Sequence, residues 1–285
     1  MTHLNLPSTL PKKREKLLET LRQYGRVAVA FSAGVDSTVV AKAAQLACGK
    51  NAIAVTAQSS SLATGELELA ERIAEEIGIR HVAIATYEFE NPQYRRNEPD
   101  RCFHCKTELY SLTEEMMQRL QVDTIVNGAN VDDLGDFRPG MTAAKKYRVR
   151  SPLIEVDFSK AEVRELAQHW KLPNWDKPAS PCLSSRIAYG LEVTEERVRR
   201  VDQAERFLRE EYGLRELRVR LEQNGLARIE VPLDRIESIS NPVNRAKITN
   251  RFRDFGFRNI TIDEKGFRSG SMNEAISVEE IERLA

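Results

Sequence analysis

Residues 27–38 read Val27-Ala28-Val29-Ala30-Phe31-Ser32-Ala33-Gly34-Val35-Asp36-Ser37-Thr38, and the predicted fold is built around this stretch. An apolar run ends at small residues, and apolar side chains then recur at helical spacing from Val39 to Leu46, which predicts a strand, a tight loop and a helix. The small side chains of Ser32, Ala33 and Gly34 let the backbone approach a ligand closely. Unpaired N–H groups in the first turn of the helix point into the loop, so the loop suits an anion.

The loop lacks the Gly-Lys-Ser/Thr ending of a Walker phosphate loop and the Gly-x-Gly-x-x-Gly of a dinucleotide site. It resembles the pyrophosphate loop of the N-type ATP pyrophosphatases, which cleave ATP to AMP and pyrophosphate. The usual pattern has two glycines, and Ala33 stands in place of the first. The resemblance implies that the ligand-facing residues are Ser32, Gly34, Asp36 and Ser37. The alternative is an ordinary strand-to-helix turn of an α/β protein.

Length and composition are those of a globular protein with one large or two modest domains. The chain has 285 residues, 41% of them apolar, and 43 basic residues balance 43 acidic ones. A neutral chain without a long basic run does not imply a general affinity for nucleic acid. No stretch approaches the length of a membrane span, so we expect a cytoplasmic protein without membrane or nucleic-acid partners.

Further apolar runs near residues 51–57, 81–86 and 123–129 alternate with amphipathic helical patterns. This alternation predicts a parallel sheet with helices on both faces, whose ligands bind at the carboxyl ends of the strands. Ser32, Thr56 and Gly128 should therefore cluster. We predict a parallel-sheet α/β domain of the ATP pyrophosphatase type over residues 1–190, and a small α+β domain for substrate binding or oligomerisation over residues 191–285.

The segment from Asn127 to Gly140 is unusually rich in acidic residues and glycines. Asp132, Asp133 and Asp136 fall within five residues, and their carboxylates could hold Mg²⁺ on a triphosphate. The alternative is a solvated loop with Asx turns. A short strand is predicted directly after this segment, near residues 149–153.

Two alternating apolar runs of the C-terminal domain flank Gln223-Asn224-Gly225. Both apolar sets share one face only if the turn has three residues and Gly225 is left-handed. This register places Arg220 opposite Arg228 and Arg218 opposite Glu230. Two arginines directly across a ladder repel each other unless a negative group lies on them, which indicates an anion site at this face. A solvated sheet face is the alternative.

The four cysteines are Cys48, Cys102, Cys105 and Cys182. Cys102-x-x-Cys105 by itself is compatible with a zinc knuckle, a redox pair or cluster ligation. A zinc knuckle would need a second pair, and Cys48, near the end of a helix, is expected to serve in packing. Together with Cys182 the pair makes three thiolates, which leave one position open on an iron–sulfur cubane or on zinc.

Four motifs in this order resemble the LarE family. They are the pyrophosphate loop, Arg-Cys-aromatic-x-Cys-Lys at 101–106, Asn-x-Asp-Asp-x-x-Asp-x-Arg-Pro-Gly at 130–140, and Pro-Cys-Leu-x-Ser-Arg at 181–186. Members of the family are ATP-dependent sulfur transferases that build the nickel-pincer nucleotide cofactor of lactate racemase. The resemblance implies that ATP adenylates the carboxylates of pyridinium-3,5-biscarboxylic acid mononucleotide, which then become thiocarboxylates.

The resemblance also implies roles for single residues. Members with three cysteines bind a 4Fe-4S cluster that delivers sulfide, and single-cysteine members sacrifice the sulfur at the position of Cys182. Closed oligomers occur in the family, so we expect a homo-oligomer whose partner is a small-molecule nucleotide. The implied functions are cluster ligation by Cys102, Cys105 and Cys182, sulfur transfer at Cys182, neutralisation of developing charge by Lys106 and Arg186, Mg²⁺ binding by Asp132 and Asp136, and phosphate binding by Arg218 and Arg220.

Three other functions are alternatives, and parts of the sequence bear on each of them. A tRNA thiolase of the same superfamily also uses three cysteines and a cluster, but should carry a basic RNA-binding surface, which the balanced charge disfavours. An amidotransfer-type synthetase is disfavoured, because ammonia chemistry has no use for three thiolates. A non-catalytic regulatory protein that binds ATP or zinc would bind ATP without releasing pyrophosphate.

Overall fold

A computed structural model describes residues 9–135 and 138–268 of the chain. The chain separates into two compact units. The first comprises Met1–Ser59, Gly65–Tyr87 and Cys102–Lys177, and the second comprises Ser60–Thr64, Glu88–Arg101 and Pro178–Ala285. Each unit has a sheet of its own.

Helices and strands follow one another along the described part of the chain. They are α1 Leu10–Gln23, β1 Val27–Ala30, α2 Val35–Cys48, β2 Ala52–Gln58, α3 Glu66–Ile77, β3 Arg80–Ala85, α4 Pro92–Arg95, α5 Arg101–Glu115, α6 Met117–Leu120, β4 Thr124–Val126, α7 Pro139–Lys146, α8 Pro152–Glu155, α9 Lys160–His169, α10 Glu195–Tyr212, β5 Arg218–Glu222, β6 Leu226–Glu230, α11 Leu233–Ser240, α12 Pro242–Asp254 and β7 Asn259–Ile262.

The first unit is built on a parallel sheet of four strands in the order β3-β2-β1-β4. The side chains of β1 alternate between two apolar cores, because Val27 and Val29 lie in one and Ala28 lies in the other. Residues of α1, α2, α3 and α9 form the first core, and residues of α5 and α7 contribute to the second. The predicted α/β class is therefore confirmed, and β1 is buried on both faces as in other parallel sheets.

The strand predicted near residues 149–153 is wrong. Arg150 makes only an isolated bridge to Val126, and the chain then enters α8 at Pro152. Proline has no N–H to donate to a sheet, and its restricted φ suits the first position of a helix. Pro152 and Leu153 are therefore buried from a helix rather than from a strand.

The second unit contains a three-stranded sheet in which β5 and β6 are antiparallel and β6 and β7 are parallel. The turn between β5 and β6 has the three residues predicted, with φ of 73° at Gly225 and 57° at Asn224. The predicted register is also confirmed, since Arg220 pairs with Arg228 and Arg218 pairs with Glu230. Alternation of buried apolar residues therefore determined the pairing correctly.

In the described part of the chain, every helix is too short or too polar to cross a membrane.

Candidate active site

The loop between β1 and α2 in the first unit is closed by short contacts among its own residues. Ala33 has a left-handed φ of 52°, and Gly34 is the N-cap of α2. The Ser37 hydroxyl lies 3.3 Å from the Ser32 N–H and 3.1 Å from the Gly34 carbonyl oxygen, to which it donates. The Ser32 and Ser37 hydroxyls are 3.2 Å apart. Two hydroxyls and the N-terminal N–H groups of α2 thus converge on one small region, as an anion site requires.

Gly128, which follows the neighbouring strand β4, touches the same loop. A Cβ on Gly128 would lie 2.7 Å from the backbone nitrogen of Ser37 and 3.0 Å from the Asp36 carbonyl carbon. No side chain fits at that distance, so this position requires glycine. The two strand ends predicted to meet, at Ser32 and Gly128, therefore do lie against the same turn of α2.

Thr56 is buried beneath the loop within β2 rather than exposed to a ligand. Its hydroxyl donates to the Phe31 carbonyl oxygen at 2.8 Å and lies 2.8 Å from Nε2 of His81. Because the hydroxyl donates to Phe31, His81 serves as the donor to Thr56. Burial lowers the pKa of His81, since the charged imidazolium is disfavoured there. Thr56 and His81 thus anchor the start of the loop.

Asp36 in the first turn of α2 carries two polar contacts from elsewhere in the first unit. The Asn130 amide donates to one carboxylate oxygen at 3.2 Å, and the ammonium of Lys160 forms an ion pair with the other. Lys160 was not among the predicted site residues. A signal existed, because Lys160 is the first residue of α9, where the helix dipole disfavours a cation that lacks an acidic partner.

Part of the acidic segment forms a short 3₁₀ turn, Val131–Gly135, whose aspartates make hydrogen bonds and an ion pair with other residues of the protein. Asp132 accepts the Lys160 backbone N–H at 2.7 Å, and Asp133 pairs with Arg138 at 2.8 Å. The Asn130 side-chain oxygen accepts the Asp132 N–H at 3.1 Å, which is an Asx turn as in the alternative interpretation. Asp136 lies outside the described residues. Asp132 thus binds the backbone of the first residue of α9, the same Lys160 whose side chain pairs with Asp36.

Cys102 and Cys105 are the second and fifth residues of α5, and their spacing of three residues places them on one side of the helix. Cys102 is exposed and Cys105 is half-buried. Lys106 packs its stem against α7, because a Cβ on Gly140 would lie 3.2 Å from Cγ of Lys106. The Cys48 thiol instead contacts the Leu21 carbonyl oxygen at 3.4 Å, and burial raises its pKa, consistent with packing.

Cys182, in the second unit, is half-buried and immediately precedes a 3₁₀ turn, Leu183–Arg186. Throughout residues 9–135 and 138–268, no three His, Cys, Asp or Glu side chains are grouped closely enough to hold a metal ion. The three cysteines are free thiols, which have the donor chemistry of a cluster.

Arg186 is 1% exposed, and its guanidinium is used within the second unit. It pairs with the fully buried Glu205 at 3.0 Å and donates to the Cys182 carbonyl oxygen at 3.1 Å and to that of Pro181. Burial opposes ionisation of Glu205, but the charges of Arg186 and Arg209 outweigh it and lower its pKa. Arg186 therefore holds the backbone that carries Cys182.

The two arginines predicted to bind phosphate have different surroundings. Arg220 pairs with Glu230 at 3.1 Å, and Glu230 also pairs with Arg228 at 2.6 Å, so a buried carboxylate of the protein separates the facing arginines. Arg218 donates to the carbonyl oxygens of Leu217 and Ala179.

Arg218 also lies over the ring of Phe267, 4.9 Å from its centroid, and no carboxylate in the described ranges pairs with it. Burial, followed by the charge of Arg186, lowers the pKa of Arg218 to about 10. Within residues 9–135 and 138–268, Arg218 is thus a buried cation with no carboxylate at ion-pair distance.

Comparisons with known proteins relate the chain to three others and one family. The asparagine synthase family model matches residues 15–98. An uncharacterised protein of Synechocystis sp. is 45% identical over 267 residues, which is 92% of this chain and 99% of the relative. The pyridinium-3,5-bisthiocarboxylic acid mononucleotide synthase of Lactiplantibacillus plantarum is 35% identical over 279 residues, 98% of this chain and 100% of that enzyme. An uncharacterised protein of Methanocaldococcus jannaschii is 29% identical over 174 residues, 61% of this chain and 66% of the relative.

Proposed function

The chain belongs to the family of the pyridinium-3,5-bisthiocarboxylic acid mononucleotide synthases, and we propose that it converts the carboxylates of pyridinium-3,5-biscarboxylic acid mononucleotide to thiocarboxylates. It is an ATP-using sulfurtransferase. The similarity over nearly the full length of both chains is the observation that carries the substrate assignment. The loop from Ser32 to Ser37, closed on Gly128, supports the ATP chemistry.

The first step activates the substrate, because a carboxylate is a poor acyl donor. A carboxylate oxygen attacks the α-phosphorus of ATP, the bond to the β-phosphate oxygen breaks, and pyrophosphate leaves as the acyl adenylate forms. The N–H groups at the start of α2 and the hydroxyls of Ser32 and Ser37 would hold the departing pyrophosphate. Gly34 allows the backbone to approach it.

Asp36 and Lys160 would manage the charge of the triphosphate. Asp36 would bind Mg²⁺ together with the predicted Asp132 and Asp136, since carboxylate oxygens are the usual protein ligands of Mg²⁺. Binding of Mg²⁺ to Asp36 would release the ammonium of Lys160, which already lies beside that carboxylate, onto a phosphate oxygen. The ion pair in the free enzyme thus holds Lys160 within reach of the nucleotide.

The second step replaces oxygen by sulfur. A C–S bond forms at the acyl carbon while the C–O bond to AMP breaks, so the carboxylate oxygen leaves on AMP. A 4Fe-4S cluster held by Cys102, Cys105 and Cys182 would supply sulfide from the iron that lacks a protein ligand. The donor chemistry and the spacing of the first two thiols in α5 support this source.

Four basic residues would support these steps in different ways. Lys106, next to Cys105, would neutralise the charge that develops on the acyl adenylate. Arg186 would act by holding the Cys182 backbone, to which it donates, rather than by contact with substrate. Arg218 would bind the substrate phosphate with Arg220, because Arg218 is buried without a carboxylate among the residues the structure describes. The assembly would be a homo-oligomer acting on a small-molecule nucleotide in the cytoplasm.

Anaerobic purification with visible spectroscopy and iron and sulfide analysis tests the sulfur source. We expect a brown protein with the stoichiometry of a 4Fe-4S cluster that Cys182→Ala loses. The matched control is Cys48→Ala, which removes a packing thiol and should leave the colour unchanged. A colourless, iron-free protein after reconstitution would contradict the cluster, and loss of a sulfur atom from Cys182 during turnover would then identify it as a sacrificial donor.

Pyrophosphate release tests the substrate. With ATP, Mg²⁺ and a sulfide source, the biscarboxylic mononucleotide should stimulate release, and mass spectrometry should detect exchange of carboxylate oxygen for sulfur. Stimulation by tRNA and not by the mononucleotide would favour the tRNA thiolase, and ATP binding without any release would favour a regulatory protein.

A further inference from the structure

Asn174, in the segment that follows α9, binds the back of the loop that precedes α2. It is 5% exposed, and its amide nitrogen donates to the Ala33 carbonyl oxygen at 2.9 Å and to the Thr38 hydroxyl at 2.8 Å. The Thr38 hydroxyl in turn donates to the Gly34 carbonyl oxygen at 2.8 Å. The buried Asn174 amide therefore binds the Ala33 carbonyl directly and the Gly34 carbonyl through the Thr38 hydroxyl.

A second donor from the same segment reaches the same carbonyl. The ammonium of Lys177 lies 3.4 Å from the Ala33 oxygen and pairs with Glu66 at 2.6 Å. Asn174 and Lys177 both belong to the first unit, as do the loop and Glu66. The Ala33 oxygen thus has two side-chain donors, of which the Asn174 amide is the shorter contact.

Ala33 needs such support because of its backbone conformation. Its φ is 52°, in the left-handed region that a Cβ disfavours and that glycine adopts freely. The methyl group is completely buried, so this residue also cannot leave the region without disturbing the core. This chain has alanine where the usual pattern has glycine, and a side-chain hydrogen bond from Asn174 supports its left-handed conformation.

The orientation of one peptide links this contact to ligand binding. The carbonyl and N–H of a planar trans peptide point in opposite directions, so fixing the Ala33 oxygen against Asn174 points the Gly34 N–H away from Asn174. A flipped peptide would present the partly negative oxygen in place of that N–H. We propose that Asn174 is a positioning residue that orients the Gly34 N–H toward the pyrophosphate portion of ATP.

Ligand selectivity separates this role from a purely structural one, and the inference rests on the proposed ATP chemistry of the loop. Asn174→Asp keeps the size of the side chain but removes the amide donors. Calorimetric titration of the full chain with Mg²⁺-pyrophosphate, Mg²⁺-ATP and AMP should show binding of the first two weakened about tenfold, the equivalent of one hydrogen bond of average strength. Binding of AMP should be unchanged, since AMP carries no pyrophosphate.

Ile77→Val is the matched control, because it removes one methylene from the buried core of the same unit at the last residue of α3, outside the loop and the Asn174 segment. Ile77→Val should lower the thermal stability about as much as the Asn174 substitution does, but it should leave the affinities for Mg²⁺-pyrophosphate, Mg²⁺-ATP and AMP unchanged. If Asn174→Asp does not fold, Asn174→Ala tests the same donor without adding a charge. In the Ala33→Gly background, the loss caused by either substitution should be smaller, because glycine adopts the left-handed turn without support.

Each outcome decides the inference. Unchanged pyrophosphate affinity in the Asn174 variants, or equal weakening of AMP and pyrophosphate, would overturn it while leaving ATP use intact. A wild-type protein that binds neither ATP nor pyrophosphate would overturn the proposed function of the loop and this inference together.

Discussion

The pyrophosphate loop of the first unit and the arginine-bearing face of β5 and β6 in the second were both predicted to bind anions, and they are built in opposite ways. In the loop, the groups available to an anion are backbone N–H groups and two hydroxyls, with Lys160 held on Asp36. In the second unit the positive charges are side chains, and buried Glu205 and Glu230 already neutralise several of them.

The difference teaches which kind of anion site a sequence reveals. A backbone site needs small residues at fixed positions, and these are visible as Ser32 to Gly34. Facing arginines also predict an anion site, but whether they can bind an external anion depends on which carboxylates of the protein lie near them. These carboxylates include diagonal neighbours in the sheet. Glu230 lies opposite Arg218, yet it pairs with Arg220 and Arg228.

The largest effect expected from this comparison is on the stability of the second unit. Glu230→Gln should lower the free energy of unfolding by about 3–5 kcal/mol, because it leaves two arginines around a buried neutral side chain. Urea denaturation followed by circular dichroism measures the loss. Glu222→Gln is the control, since it breaks only a partly exposed ion pair with Arg228 and should cost about 1 kcal/mol or less. Equal losses in the two variants would show that Glu230 does not neutralise the pair.

The next largest effect concerns the close approach of β4 to the loop. Gly128→Ala would place a methyl group 2.7 Å from the Ser37 nitrogen, so the first turn of α2 must shift. We expect a stability loss of about 1–3 kcal/mol, as for other overpacked sites, together with loss of pyrophosphate release.

Gly135→Ala is the matched control for stability in the same unit, because no atom of the described residues lies within 4 Å of the added methyl group. It should retain the stability of the wild type. If Gly128→Ala released pyrophosphate normally, the contact would not be required to shape the anion site.

Lys160→Met tests whether Lys160, unlike the arginines paired with Glu230, is available to bind the nucleotide. Loss of a charge-assisted hydrogen bond to a phosphate should lower kcat/KM for ATP by about 10- to 100-fold, and Lys160→Arg should recover part of it. Steady-state pyrophosphate release measures both. An unaltered kcat/KM in Lys160→Met would mean that the ion pair with Asp36 serves only to connect α2 and α9.

The smallest effect is a pH dependence beneath the loop. Burial lowers the pKa of His81, so below the ordinary value of about 6.5 the unfolded chain binds more protons than the native one. Stability therefore falls as the pH decreases from there, until the native imidazole is also protonated.

The difference in unfolding free energy between wild type and His81→Gln, measured from pH 7.5 down to pH 5, should isolate this dependence. Glutamine can still donate to Thr56 but does not titrate. A constant difference across this range would contradict a depressed pKa at His81.

Local patterns sufficed for the α/β class and for the turn and register of β5 and β6, and these predictions are confirmed. The prediction of a strand near residues 149–153 was wrong because it relied on the apolar residues of the segment and did not consider that Pro152 favours the start of a helix. The ion pair of Asp36 with Lys160 was missed because 124 residues separate the two in the chain. The one local signal for this ion pair was a lysine, Lys160, at the start of a helix.

The sequence by itself determined the parallel sheet and the strand–loop–helix at residues 27–48, and it indicated the cysteines proposed for sulfur chemistry, because these follow from periodicity, small residues and side-chain type. Tertiary structure decided which charged side chains are neutralised within the protein and which backbone carbonyls accept a side-chain hydrogen bond. Arg186 donates to the Cys182 carbonyl oxygen, and Asn174 donates to that of Ala33. The physical reason is that burial makes each buried charge or carbonyl take a partner, and the nearest partner in space is set by the packing of distant segments.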